Sequence, residues 1–227
     1  MIDKQEYLNP LATLLGNSSH QPNVGLNALA RYASLGLPTK RKLFISYYHR
    51  QDQNFKDRFE QLFGTTFINK SVQNGDINTD VGDEYIKRLI QSSDYLRDAS
   101  VLVVLCGENT WGRKHVDWEI SGALNQKVGG YSGVLGILLP SHPGFNENKY
   151  EENSIPRRLL ENIQSGYATI YRWTEDSIEM KRRIEEAFNK KKDYALIKNS
   201  SSQMQRNTAT CQKSLVEKFY GETSGYE

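Results

Sequence analysis

The sequence is poor in cysteine: Cys106 and Cys211 are the only two in 227 residues. They lie far apart, one in an apolar run and one in a polar stretch, so neither a disulfide scaffold nor a cysteine-rich zinc site can be built from them. The four histidines, His20, His49, His115 and His142, are scattered, and no metal site is expected. Long apolar runs are missing as well. The run Val101–Cys106 falls far short of the roughly 20 residues that span a bilayer. The opening Met-Ile-Asp-Lys-Gln has no basic stretch leading into an apolar one, so no signal peptide is expected. An excess of one charge is also lacking. Twenty-nine Lys+Arg against 27 Asp+Glu leave a net +2, spread evenly along the chain. A general nucleic-acid binder carries a strong basic excess. A mean hydropathy of -0.66 completes the expectation of a soluble cytoplasmic chain without nucleic acid or membrane partners.

What is present is a regular alternation of strands and helices. Residues 1–40 stand apart, with short apolar pieces interrupted by Asn, Gly, Ser and Pro and closed by Gly36-Leu37-Pro38. They are expected to form an N-terminal extension. Lys42–Tyr48 is predicted as a strand and Gln51–Phe63 as an amphipathic helix with Phe55, Phe59, Leu62 and Phe63 on one face. A short strand follows at Thr65–Ile68, a loop at Ser71–Asp83 and a helix over Gly82–Leu96. Ser100–Cys106 is apolar on both faces, as central parallel strands are. A helix over Arg113–Gln126, a strand over Gly133–Leu139 and a weaker strand at Ala168–Tyr171 come next. The last helix is predicted to start after Thr174 as cap, with Trp173 and Ile178 as a hydrophobic staple, and to run to about Lys190. The segment Asn199–Gln212 is rich in Ser, Asn, Gln and Thr and reads as flexible. The division is thus 1–40 extension, 41–190 domain and 191–227 polar C-terminal tail.

This alternation specifies an α/β fold with a flavodoxin-like, doubly wound parallel sheet of about five strands in the order 2-1-3-4-5, a single domain with terminal extensions. Its ligand crevice lies beyond the carboxyl ends of the first and third strands, which points to Ser46–Arg50 and Cys106–Lys114. Most chemistries of this topology are excluded there. The first loop has no glycine to cradle a phosphate, and neither Gly-Lys-Ser/Thr nor Gly-x-Ser-x-Gly occurs. The third strand ends in Cys106-Gly107, where a phosphate receiver needs an aspartate. On the helix after it, Val116, Ile120, Ala123 and Leu124 form the core-facing stripe. Glu119 falls on its shoulder, roughly 60° from Val116, with His115 and Gly122 beside it. Periodicity leaves its role open: it faces the crevice, caps a partly buried network or faces water. Trp111 and Trp118 are equally readable as packing residues, His115 as an exposed helix histidine and Tyr47 as core.

Phe44-Ile45-Ser46-Tyr47 in the first strand, combined with Trp118-Glu119-Ile120 on the third helix, resembles the TIR domain, and more narrowly the bacterial TIR-like proteins of Thoeris anti-phage defence. The resemblance covers about residues 41–190. It implies cleavage of the nicotinamide–ribose bond of NAD⁺, with NAD⁺ as substrate and no resident cofactor. It implies Glu119 as the catalytic residue and Ser46, Tyr47, Tyr48 and His49 as the first loop lining the nucleotide pocket. The mobile second loop corresponds to about Ser71–Asp83, with Asp76 as a substrate-binding candidate beside Trp111 and His115. Many relatives carry tryptophan where this chain has His115. The resemblance further implies a cyclic ADP-ribose-type signal that activates a separate effector protein, and a capacity for homo-oligomers. A non-catalytic TIR interaction module is the alternative. A nucleoside deoxyribosyltransferase-like enzyme, sharing fold and glycosidic chemistry, is a third reading.

Overall fold

The computed structural model describes residues 40–70, 94–127, 129–147 and 150–208, the side chains of 94 and 95 excepted. The chain divides into two units, residues 1–39 and 40–227, of which the first lies outside the described residues. In chain order the elements are β1 (Arg41–Ser46), α1 (His49–Phe63), β2 (Phe67–Asn69), α2 (Asp94–Asp98), β3 (Val101–Cys106), α3 (Lys114–Ala123), β4 (Gly133–Leu138), α4 (Arg157–Gln164), β5 (Thr169–Arg172) and α5 (Ser177–Lys190). Single 3₁₀ turns stand at Thr110–Gly112, Glu152–Ser154 and Tyr194–Leu196.

The five strands form one parallel sheet in the order β2-β1-β3-β4-β5, the doubly wound arrangement expected from the sequence. The register sets Ser46 opposite Val104 and Cys106 opposite Leu138, so β1 and β3 finish side by side. Because side chains alternate across a strand, β3 serves two cores. Leu102, Val104 and Cys106 join Phe44, Val116, Ile120 and Leu159 on the face covered by α2, α3 and α4. Val101, Val103 and Leu105 join Leu43, Ile45, Phe59, Met180 and Ile184 under α1 and α5. All six β3 residues are fully buried, which is why this strand is apolar throughout.

Several local expectations need correction. The cap of α5 is Asp176, whose Oδ1 accepts from the backbone N–H groups of Ile178 and Glu179 at 2.8 and 3.2 Å. Thr174 sits two residues outside, accepting from Asp176 N. No staple forms: Ile178 is 81% exposed, while Trp173 turns to α1 and meets Phe55 and Phe59 edge-on. Helix α4 has no counterpart in the sequence reading. It is only eight residues long, and its apolar stripe is confined to Leu159, Leu160 and Ile163, beside the buried polar residues Arg158 and Asn162. Helix α3 stops at Ala123, with Asn125 and Gln126 exposed. The predicted loop at 71–83 and most of the predicted helix over 82–96 lie outside the described residues. Residues 199–208 are not a free polar stretch: their polar groups bond to α3 and α4.

Candidate active site beyond β1 and β3

Glu119 leaves α3 between two neighbours that face inward, Trp118 and Ile120, and is itself only 8% exposed. Burial raises its carboxyl from the ordinary 4.5 to about 8, since a carboxylate loses hydration there that nothing fully replaces. The Ser46 hydroxyl pulls in the other direction, favouring the ionised form. Ser46 closes β1 on the same sheet face as Phe44, toward α3. Its hydroxyl is buried and lacks a partner in full hydrogen-bond geometry, so it stands beside the carboxyl with capacity to spare. No cationic side chain among the described residues contributes to the state of Glu119.

The other predicted residues divide into near and turned away. Tyr48 is half-buried at the mouth of the β1–α1 loop, with the Arg113 guanidinium 4.5 Å above its ring. His115 lies one turn before Glu119 on α3, half-buried, its ring 5.1 Å from that of Trp118. His49 is exposed and stacks on Tyr47 at 4.2 Å. Tyr47 itself is 3% exposed and belongs to the core under α1 and α5, with its hydroxyl donating to Gln53 Oε1 at 2.6 Å. Burial pushes that hydroxyl up to about 12. Trp111 lines a separate cavity of about 310 Å³ with Asp117, Ile155, Arg158 and Met204. Asp76 lies outside the described residues.

Sequence reasoning missed the brace that joins the segments after β1 and β3. Asp52, 1% exposed on α1, accepts from Thr110 Oγ1 at 3.0 Å, and Thr110 Oγ1 in turn accepts from Gly107 N at 2.9 Å. Burial pushes the Asp52 carboxyl up, while the bonds from Thr110 and the Tyr48 backbone pull it back. Gly107 is required here, because a Cβ would stand 2.2 Å from Asp52 Oδ1. Asn109 Nδ2 donates to Gln51 Oε1 at 3.0 Å, and Arg113 Nε to Asn109 O at 3.0 Å. The loops after β1 and β3 are therefore joined by at least two side-chain bonds and one cation–ring contact. A signal for Asp52 existed: it precedes Phe55 and Phe59 by three and seven residues, which places a carboxyl on the apolar face of an amphipathic helix.

Among the described residues no group of three His, Cys, Asp or Glu could hold a metal ion, and no helix is long and apolar enough to cross a membrane. Cys106 is fully buried at the end of β3, and burial pushes its thiol up, away from the thiolate a nucleophile needs. The arrangement thus offers one desolvated carboxyl, one hydroxyl and aromatic rims, a set suited to stabilising positive charge in a substrate rather than to nucleophilic or metal chemistry.

No curated protein matches the chain. Among solved structures it is similar to the TIR domains in the structure of the activated Roq1 resistosome directly recognizing the pathogen effector XopQ, at 11% identity and a TM-score of 0.33, covering 80% of this chain and 100% of that one. The family model described as Thoeris protein ThsB, TIR-like domain, matches residues 44–144, a stretch that runs from the middle of β1 past β4 and includes Ser46, Asp52, Gly107 and Glu119. Over residues 44–144 the chain is similar to the TIR-like domain of the Thoeris protein ThsB.

Proposed function

We propose that the chain is an NAD⁺-cleaving enzyme of anti-phage defence, releasing nicotinamide and making a cyclic ADP-ribose-type nucleotide that activates a separate effector. The observation that carries this reading is Glu119: a carboxyl 8% exposed, without a cationic partner among the described residues, beside an under-bonded serine hydroxyl at the crevice of the sheet. A module used only for contact has no need of a buried, unneutralised acid, whose placement costs stability. The ThsB family match supports the defence role.

The chemistry asks little of the protein. When the bond between nicotinamide and ribose breaks, its electron pair leaves with a neutral pyridine, so no general acid is required, unlike ordinary glycoside hydrolysis with two carboxylates. Positive charge then develops on the ribose. Glu119, ionised when the cationic nicotinamide ring of NAD⁺ arrives beside it, stabilises that charge and holds the ribose hydroxyls, in a setting where low dielectric strengthens the interaction. Ser46 donates to the carboxylate as it forms. Tyr48 and His115 supply rings at the rim for base or nicotinamide, and His49 a polar contact. Water reaching the cation gives ADP-ribose, while an atom of the same nucleotide gives a cyclic product if water is kept out.

The test is chromatography of nicotinamide from the full chain incubated with NAD⁺, in buffer and in lysate of phage-infected cells that supplies any trigger. Wild type is expected to release nicotinamide and Glu119→Gln to fall by about 100-fold or more, a loss of the size removal of one charge-stabilising group produces. Equal release by the two proteins in infected lysate refutes the assignment. The mass of the nucleotide product separates cyclic from linear.

A further inference from the structure

Residues 199–208 run along the outer flank of α3 without forming helix or strand, and they touch it at every turn. Asn199 Nδ2 donates to Ser121 O at 3.0 Å and Gln203 Nε2 to Ser121 Oγ at 2.8 Å. Met204 is bonded through both its backbone groups: its N–H reaches Asp117 Oδ2 at 2.8 Å, and its carbonyl accepts from Trp118 Nε1 at 2.8 Å. Asn207 Oδ1 accepts from Lys114 N at 3.0 Å, at the start of the helix. Thr208 pairs with Gly112 (N to O, 2.9 Å) and accepts from Arg113 Nη2 at 2.8 Å. Gly112 permits this approach, since a Cβ there would meet Thr208 O at 2.5 Å.

The helical positions used are 114, 117, 118 and 121, a stripe at intervals of three and four. The opposite stripe, Val116, Ile120, Ala123 and Leu124, is buried in the core. Glu119 projects beside the core stripe, about 150° around the helix from the contact stripe, so its direction follows the orientation of the helix as a whole. One residue of α4 joins the segment to the helix. Arg158, 2% exposed, gives Nε to Asp117 Oδ1 at 2.9 Å, Nη1 to Asn199 Oδ1 at 2.8 Å and Nη2 to Ser201 O at 3.0 Å. A buried guanidinium spent on one carboxylate and three points of a single segment, Asn199, Ser201 and Ser202, is a joint between α3, α4 and that segment.

The attachment is also of a kind that can release. Met204 is the only apolar residue between 199 and 208, so hydrophobic burial contributes little, and the hydrogen bonds, each weak in net terms, are exchangeable for bonds to water. Packing beneath is incomplete: the cavity of about 310 Å³ is lined on one side by Ser201, Met204 and Thr208 and on the other by Trp111 and Ile155. Segments with few apolar contacts open locally at low cost.

We propose that residues 199–208 are a latch that sets the orientation of α3, and with it Glu119, and that Arg158 is the positioning residue that keeps the latch closed. The functional half of this rests on Glu119 being the catalytic group. Amide hydrogen exchange on the full chain, read by mass spectrometry, tests the latch without reference to activity. The proteins are wild type, Arg158→Met, Met204→Pro, which removes the N–H that Asp117 accepts, and Met204→Ala, which keeps it. In Arg158→Met and Met204→Pro, exchange is expected to rise about 10-fold or more in both 199–208 and 114–121, with β3 and β4 unchanged, while Met204→Ala stays as wild type. Faster exchange in 199–208 with 114–121 unaltered overturns the proposal, and so does unaltered exchange in both. If Arg158→Met loses protection across the sheet, the Met204 pair decides. In the nicotinamide assay the two latch variants are expected to lose about 10- to 100-fold in kcat with KM changed less than about threefold, as misplacing a reacting group costs rate more than binding. A wild type that releases no nicotinamide removes the catalytic reading alone, since the exchange result still decides the latch.

Discussion

At the scale of single residues, the site rests on two buried acids in opposite situations. Glu119 is left with one hydroxyl nearby, whereas Asp52 is fully engaged in joining two loops. The position of Glu119 on the shoulder of an amphipathic helix was legible from spacing. Its degree of burial, and the bare serine beside it, were not, because Ser46 arrives from another strand. Asp52 was legible in principle and overlooked, since a charged residue in a first helical turn reads as solvated. Its role gives a direct expectation. Asp52→Ala should destabilise by about 1–3 kcal/mol through the unmet partners it leaves, and Gly107→Ala by about 1–3 kcal/mol through overpacking against the same carboxylate. In the double variant the second cost shrinks, because the clash partner is gone, so urea titrations should show non-additivity of about 0.5 kcal/mol or more. Simple addition of the two costs would mean that the brace does not exist.

Among the elements, the long ones with strong periodicity matched expectation within a few residues, and the discrepancies have particular causes. Helix α4 is absent from the sequence reading because eight residues give only one short apolar stripe, Leu159, Leu160 and Ile163, and the buried Arg158 beside it serves α3 rather than the core. The start of α5 was misplaced because Thr174 and Asp176 are both competent caps, and only the path of the chain after β5 selects the aspartate. Asp176→Ala should therefore cost about 1 kcal/mol, the usual loss for a helix cap, and Ile178→Ala should stay within about 0.5 kcal/mol, as an exposed side chain does. Thermal or urea unfolding distinguishes the two, and a large loss at Ile178 would reinstate the staple. The segment 199–208 was misjudged for a further reason. Composition distinguishes polar from apolar, but a polar segment satisfied by water and one satisfied by a neighbouring helix have the same composition.

For the whole molecule, the raised carboxyl at Glu119 links folding to pH. Below about 4.5 the carboxyl is protonated folded or unfolded, and burial carries no charge penalty. Between 4.5 and about 8 the unfolded chain ionises it while the folded chain keeps the proton. Stability is therefore lost as pH rises across that window, at up to about 1.4 kcal/mol per unit. Melting temperatures of wild type should fall from pH 5 to pH 8 relative to Glu119→Gln, which has no such proton; parallel curves would contradict the burial argument. Under the proposed NAD⁺ cleavage, the same ionisation should make kcat/KM rise with pH toward about 8, since the free protein must first give up the proton. The sequence by itself determined the strand order, the two-faced burial of β3 and the side-by-side ends of β1 and β3, because these follow from periodicity and connection rules that act along the chain. The solvation of Glu119, the Asp52–Thr110 brace and the docking of 199–208 were decided only in the tertiary structure. Each depends on a polar group meeting, or failing to meet, a partner from a distant part of the chain, and the energy of such a group is set by that meeting.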